Sequence, residues 1–180
     1  MRFVPTPIDG VVVVELEPRV DERGWFARVF CADEFSEHGL GGHIEQVNMS
    51  LSHKAGTLRG LHYQVPPAAE SKLMRCVRGA LFDVAVDIRP DSPTYGEWFG
   101  MELSVDNGSA LFVPPGCAHG FQTLVDDTVA LYPVSAAYRP ELERGISHAD
   151  PEIGIRWPHD VKSMSRRDRS LPFLREVKLN

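Results

Sequence analysis

The sequence predicts an all-β fold, a barrel or a sandwich. Short apolar and β-branched runs recur along the chain, and Gly, Pro, Asn and Asp separate them at the spacing of such folds. A length of 180 residues suits one domain with one sizeable core. Hydrophobic residues make up 43% and charged residues 24%, the composition of a globular protein and not of a disordered one.

Taken in order, residues 11–16 are apolar and β-branched and predict a first strand. The turn Asp21-Glu22-Arg23-Gly24 leads into a second over residues 25–30. Residues 32–39 read as one or two helical turns ending at Gly39. Strands follow over residues 44–52, 57–65, 72–78, 80–88, 96–105, 109–113, 119–125 and 128–135. The stretch after Pro158 is polar and predicts little more than a short helix or turn.

The strand over residues 80–88 carries the clearest alternation. Phe82, Val84, Val86 and Ile88 fall on one face; Leu81, Asp83, Ala85 and Asp87 fall on the other. The aspartate face either meets solvent or lines a ligand cavity inside a barrel.

A net charge of -6 argues against binding nucleic acid or an anionic membrane through bulk electrostatics. No run reaches the length needed to cross a bilayer. The first residues, Met1-Arg2-Phe3-Val4-Pro5, lack the apolar core and cleavage site of a signal peptide. Cys31, Cys76 and Cys117 are odd in number and form no CxxC pair, as expected of reduced thiols in the cytoplasm.

Two segments bring histidines into comparable places. In Gly56-Thr57-Leu58-Arg59-Gly60-Leu61-His62-Tyr63-Gln64, a histidine sits within an apolar strand beside an arginine and two glycines. In Phe112-Val113-Pro114-Pro115-Gly116-Cys117-Ala118-His119-Gly120-Phe121, another follows a Pro/Gly turn. The two resemble the paired motifs of cupins, which implies a cupin-type jelly-roll β-barrel over residues 1–180, with the tail from about residue 159 packed on it. Metal-binding cupins carry H-x-H in the first motif, whereas here Gln64 follows His62. His62 and His119 fall short of the three protein ligands of a catalytic zinc or iron site. No metal is expected, and His62 remains available as an acid or base near neutral pH.

A fuller set of motifs gives a closer resemblance. Asp21-Glu22-Arg23-Gly24, Arg59-Gly60-Leu61-His62-Tyr63-Gln64, Lys72-Leu73-x-Arg75-Cys76-Val77-x-Gly79, Phe82-Asp83-Val84-Ala85-Val86-Asp87-Ile88-Arg89 and Pro115-Gly116-x-Ala118-His119-Gly120-Phe121 occur in that order. Glu141-x-Glu143-Arg144-Gly145-Ile146, Asp150-Pro151 and Ile155-x-Trp157-Pro158 follow. Together they resemble the dTDP-4-dehydrorhamnose 3,5-epimerase family along nearly the whole chain.

The resemblance implies an isomerase without cofactor, acting on a nucleotide-linked 4-keto-6-deoxyhexose. The hydrogens on C3 and C5 lie next to the C4 ketone, so loss of either proton gives an enolate. By the same resemblance His62 is the base, Tyr132 the acid, and Asp168 holds the imidazole through its second nitrogen. Lys72 neutralises the developing enolate. Read from the residues alone, Asp83 is a rival orienting carboxylate, Tyr132 can equally be packing, and Asp168 sits in the charged run Ser165-Arg166-Arg167-Asp168-Arg169.

Arg23, Arg59 and Arg167 match positions near the nucleotide diphosphate, where guanidinium can donate two bonds at once. Gln46 and Asn48 match a polar pair that holds the nucleotide; His119 and Glu143 match sugar- or phosphate-proximal positions. Arg28 stands near the base where the family carries a glutamate, and Met49 replaces a histidine. Both departures imply a shifted specificity. Arg59 and His62 differ by three positions, so a regular strand turns them to opposite faces unless Gly60 forms a bulge.

The family also implies a homodimer in which N-terminal strands extend the partner's sheet. The run Val11-Val12-Val13-Val14 is an apolar strand that such an exchange would cover. The alternatives are a single-centre 3- or 5-epimerase, a 3,4-ketoisomerase on another nucleotide sugar, or a non-catalytic sugar-nucleotide binder. A metal-dependent cupin oxygenase fits less well, because of Gln64.

Overall fold

The computed structural model describes residues 1–177. In chain order its strands are β1 (Arg2–Pro5), β2 (Val12–Glu15), β3 (Arg19–Asp21), β4 (Gly24–Phe26), β5 (Gln46–Ser52), β6 (Leu58–Gln64) and β7 (Lys72–Arg78). They continue as β8 (Ala80–Asp87), β9 (Trp98–Ser104), β10 (Ala110–Val113), β11 (Cys117–Thr123), β12 (Thr128–Val134) and β13 (Glu143–Gly145). Two short helices, α1 (Ala32–Glu37) and α2 (Arg166–Arg169), and a 3-10 turn at Leu174–Glu176 complete the described elements.

Two sheets face each other in the jelly-roll manner. One has six strands in the order β1-β2-β10-β7-β12-β5, the other five in the order β13-β6-β11-β8-β9. β3 and β4 form a separate two-stranded hairpin. Met74, Cys76, Leu81, Ala85, Leu111 and Phe121 meet between the sheets in the central core. The outer face of the five-stranded sheet is covered as well: Leu61, Val84 and Val86 pack with Ile146, Ile153 and Leu174 from the C-terminal part of the chain. Helix α1 lays Phe35 on Val14, Leu73 and Phe112, covering one end of the six-stranded sheet.

This double cover settles the two faces of β8. Both aspartates are buried, at 0% exposure, so the solvent reading of that face does not hold. Asp87 accepts bonds from the Arg89 backbone and guanidinium, from Ser92 Oγ at 2.6 Å and from Thr94 Oγ1 at 2.7 Å. Burial pushes its carboxyl up, but these donors outweigh it and hold the group well below the usual carboxylate range. Asp87 therefore organises the loop after β8.

The long strands lie where the alternation places them; the short ones do not follow from it. The strand expected over residues 25–30 ends at Phe26. β1, β3 and β13 are three or four residues long, too short for an alternating pattern to register. The tail is anchored through a Thr57–Ser163 bridge, α2 and the buried Leu174; residues 178–180 lie outside the described residues. Among the described residues no helix is long and apolar enough to cross a membrane.

Candidate active site

Strand β6 supplies the first wall. His62 pairs with His119 of β11 and Arg59 pairs with Phe121, so Gly60 and Leu61 together oppose Gly120. This is the bulge that the spacing of Arg59 and His62 called for. Gly60 permits it: its φ is +118°, and a Cβ there would sit 2.6 Å from Gly120 Cα and 2.8 Å from His119 O. The extra residue restores the phase of the strand, and Arg59, His62 and His119 line one cavity.

Each histidine on this wall has its own carboxylate. His62 Nε2 lies 2.8 Å from Asp168 Oδ1. Asp168 Oδ2 also accepts the Gly60 N–H at 3.3 Å, and Ser165 Oγ caps α2 by accepting the Asp168 N–H at 3.0 Å. Burial would raise the Asp168 carboxyl, but the bonds to His62, Gly60 and Ser165 prevail and hold it below its ordinary value. In the neutral imidazole, an Nε2–H given to the carboxylate makes Nδ1 the acceptor. His119 Nε2 lies 2.8 Å from Asp83 Oδ1. Asp83 is thus the partner of His119 and not a rival for His62; its Oδ2 is buried without a partner.

The six-stranded sheet forms the opposite wall. Lys72 of β7, Tyr132 of β12 and Gln46 and Asn48 of β5 line the cavity, and the register pairs Tyr132 with Asn48 and Val134 with Lys72. Burial raises the Tyr132 phenol above its ordinary value, with Glu143 adding to the shift and Arg59 opposing it. The phenol therefore keeps its proton at neutral pH and can give it to a carbanion. Lys72 Nζ is ion-paired with Glu70 Oε1. The cavity has two lobes of about 280 and 290 Å³, and His62, Lys72 and Tyr132 belong to both.

The short strand β13 brings Glu143 opposite Gln64 at the cavity mouth. Tyr138 Oη donates to Glu143 Oε2 at 2.6 Å, and Arg167 pairs with the same oxygen. These donors outweigh burial and keep the Glu143 carboxyl below its ordinary value. Arg23 and Arg28 are placed elsewhere. Arg23 pairs with Asp21 on the exposed β3–β4 hairpin, and Arg28 donates to Glu34 at 2.6 Å, beside a separate hollow lined by Met1, Glu17 and Phe26. Within one chain they do not reach His62.

Glu70, Tyr138 and the amide of Gln64 also border the cavity. The sequence offered little to find them: Glu70 lies in a polar loop and Tyr138 in an irregular segment, and only the fold gathers them.

A paired imidazole, a protonated phenol and an ammonium from two facing sheets can take a proton from carbon, hold the resulting anion and return a proton. Together with the cupin fold they define an isomerase, a carbohydrate epimerase. The family model for dTDP-4-dehydrorhamnose 3,5-epimerase matches residues 5–176, and the chain belongs to that family. A dTDP-4-dehydrorhamnose 3,5-epimerase of Sinorhizobium fredii is 50% identical over 178 residues, which cover 98% of this chain and 91% of that one. The crystal structure of the Elizabethkingia anophelis enzyme of that name superposes with a TM-score of 0.95 at 37% identity, covering 98% of this chain and 97% of the other. The dTDP-6-deoxy-D-glucose-3,5-epimerase of Legionella pneumophila, solved in complex with dTDP-4-keto-L-rhamnose, gives 0.91 at 38% identity, covering 98% and 94%.

Proposed function

We propose that this enzyme epimerises dTDP-4-dehydro-6-deoxyglucose at C3 and C5, giving dTDP-4-dehydrorhamnose. The observation that carries the reading is the pairing of His62 with Asp168 on one wall, with Tyr132 and Lys72 on the other. His62 Nδ1 removes the proton beside the C4 ketone, and Asp168 stabilises the imidazolium that forms. The electrons of the broken C–H bond move to the C4 oxygen, where the Lys72 ammonium faces the growing charge. Tyr132, from the opposite sheet, returns a proton to the other face of the carbon. The same acts at the second carbon complete the reaction, and the ketone is the electron sink throughout.

Arg59 and Arg167 are assigned to the diphosphate and its surroundings, Gln46 and Asn48 to the nucleotide, and His119 and Glu143 to the sugar or phosphate. Arg23 and Arg28 enter through a second copy of the chain. Val20, Trp25 and Phe26 on the β3–β4 hairpin are 78%, 64% and 71% exposed, and Val47, Met49 and Leu51 form an open apolar row on the outer face of β5. Such surfaces on one molecule call for a cover. A homodimer with exchanged N-terminal strands covers both and carries the two arginines towards the partner's cavity. Three unpaired cysteines, two of them buried, support work in the cytoplasm.

The test is incubation with dTDP-4-dehydro-6-deoxyglucose and NMR analysis of the product. Inversion at both centres is expected. Inversion at one centre alone, or turnover only with a different nucleotide 4-ketosugar, would overturn the proposal. A monomeric mass at micromolar concentration would overturn the dimer.

A further inference from the structure

We propose that Glu70 is a positioning residue that holds the Lys72 ammonium towards the reacting oxygen, with Gln64 as the frame that fixes Glu70. The inference rests on the role proposed above for Lys72 and adds the device that aims it.

The geometry forms a chain of three side chains. Glu70 and Lys72 are paired with only 6% and 13% of their side chains exposed. The other Glu70 oxygen, Oε2, accepts from Gln64 Nε2 at 2.8 Å. The Gln64 amide further donates to Ala68 O at 3.1 Å and Ala137 O at 3.2 Å, and its Oε1 accepts the Arg139 N–H at 2.6 Å. Gln64 thus ties the end of β6 to two loops, residues 65–71 and 135–142, and every polar atom of its side chain is engaged. Glu70 has one oxygen on this frame and the other on the ammonium.

The need for such a device follows from the lysine itself. Its long, flexible stem carries considerable rotamer entropy, so an untethered ammonium samples many places. A carboxylate shielded from water is tolerated only with its oxygens hydrogen-bonded, and Gln64 and Lys72 meet that condition. The negative charge of Glu70 does not itself help an enolate; beside the ammonium it weakens the field at the oxygen. What Glu70 contributes is therefore reach and direction. The position two after His62, which in metal-binding cupins completes H-x-H, here anchors a charge-positioning chain.

Two substitutions separate reach from charge. Glu70→Asp keeps the charge but is one methylene shorter; Glu70→Gln loses the charge but keeps one acceptor oxygen at full reach for the ammonium, while its NH2 replaces the oxygen that accepts from Gln64. For Glu70→Asp we expect kcat to fall about 10- to 100-fold with KM within about threefold, as for a misplaced catalytic group. Glu70→Gln recovers part of that loss, because its oxygen still reaches the ammonium although the bond from Gln64 is gone. In a Lys72→Met background neither change has a further effect on kcat, because Glu70 acts through Lys72. Circular dichroism and melting curves confirm that each variant is folded. The proposal is overturned if Glu70→Gln is as impaired as Glu70→Asp, if Glu70→Asp turns over at the wild-type rate, if the loss lies in KM, or if it persists without Lys72. Wild-type turnover by Lys72→Met alone would show instead that the underlying role of Lys72 is wrong, and the positioning role would fall with it.

Discussion

His62 and His119 are direct partners across the antiparallel pair β6–β11, yet each is bound by a different aspartate at the same distance, 2.8 Å. The two carboxylates differ in their setting. Asp168 comes from a helix near the end of the chain and has both oxygens engaged. Asp83 comes from the middle of β8 and has one oxygen buried and unpaired. On the function proposed above, the first arrangement holds the base and the second presents an imidazole to the substrate.

Asp168→Asn should therefore lower kcat by about 10²–10⁴-fold, because an amide can donate as well as accept and no longer fixes the His62 tautomer. Asp83→Asn acts only through His119 and should raise KM more than it lowers kcat. Steady-state kinetics on the two variants decide this. A larger kcat loss in Asp83→Asn would reverse the assignment of base and binder.

Acid stability follows from the depressed Asp168 carboxyl. Its folded pKa lies below the unfolded value of about 3.9. The group therefore contributes stability that is fully present above about pH 4 and is lost as pH falls through the folded value. Melting temperatures of the wild type and Asp168→Asn should differ most near neutrality and converge below about pH 4. A constant gap down to strong acid would contradict this.

Gly60→Ala tests the bulge. The new methyl would meet backbone of β11 at 2.6 and 2.8 Å, in a conformation with φ at +118°. A loss of more than about 2 kcal/mol in denaturant unfolding is expected, together with loss of activity as Arg59 and His62 part company. Wild-type stability would show that the strand accommodates the residue without this geometry.

Activity should survive EDTA and metal-free purification. Nε2 of His62 and of His119 are committed to aspartates, and the Gln64 amide to the 65–71 and 135–142 loops and Glu70. Loss of turnover on chelation, restored by one divalent ion, would overturn the proton-transfer scheme drawn from these residues.

Much of the sheet architecture was legible because long strands repeat their pattern. The alternation of residues 81–88 marked two faces correctly, but not that the C-terminal segment covers the Val84 and Val86 face while the aspartate face turns in between the sheets. Gly60 gave the one local hint of the bulge. Asp168 reads as part of a solvated charge run, since its burial depends on His62, 106 residues away. Glu70 and Tyr138 sit on loops without periodicity, so only their neighbours in space mark them. Arg23 matches a family position and Arg28 departs from one, but one chain carries neither to the cavity.

The division of labour between His62 and Tyr132 is the central claim, and solvent deuterium exchange tests it most directly. With the 4-ketosugar substrate in deuterated water, folded His62→Ala should show no exchange at C3 or C5, because no enolate forms. Tyr132→Phe should lose epimerised product yet retain some deuterium wash-in with unchanged configuration, as His62 returns a proton to the face it came from. Near-normal exchange in folded His62→Ala would contradict the account and assign the base to another group.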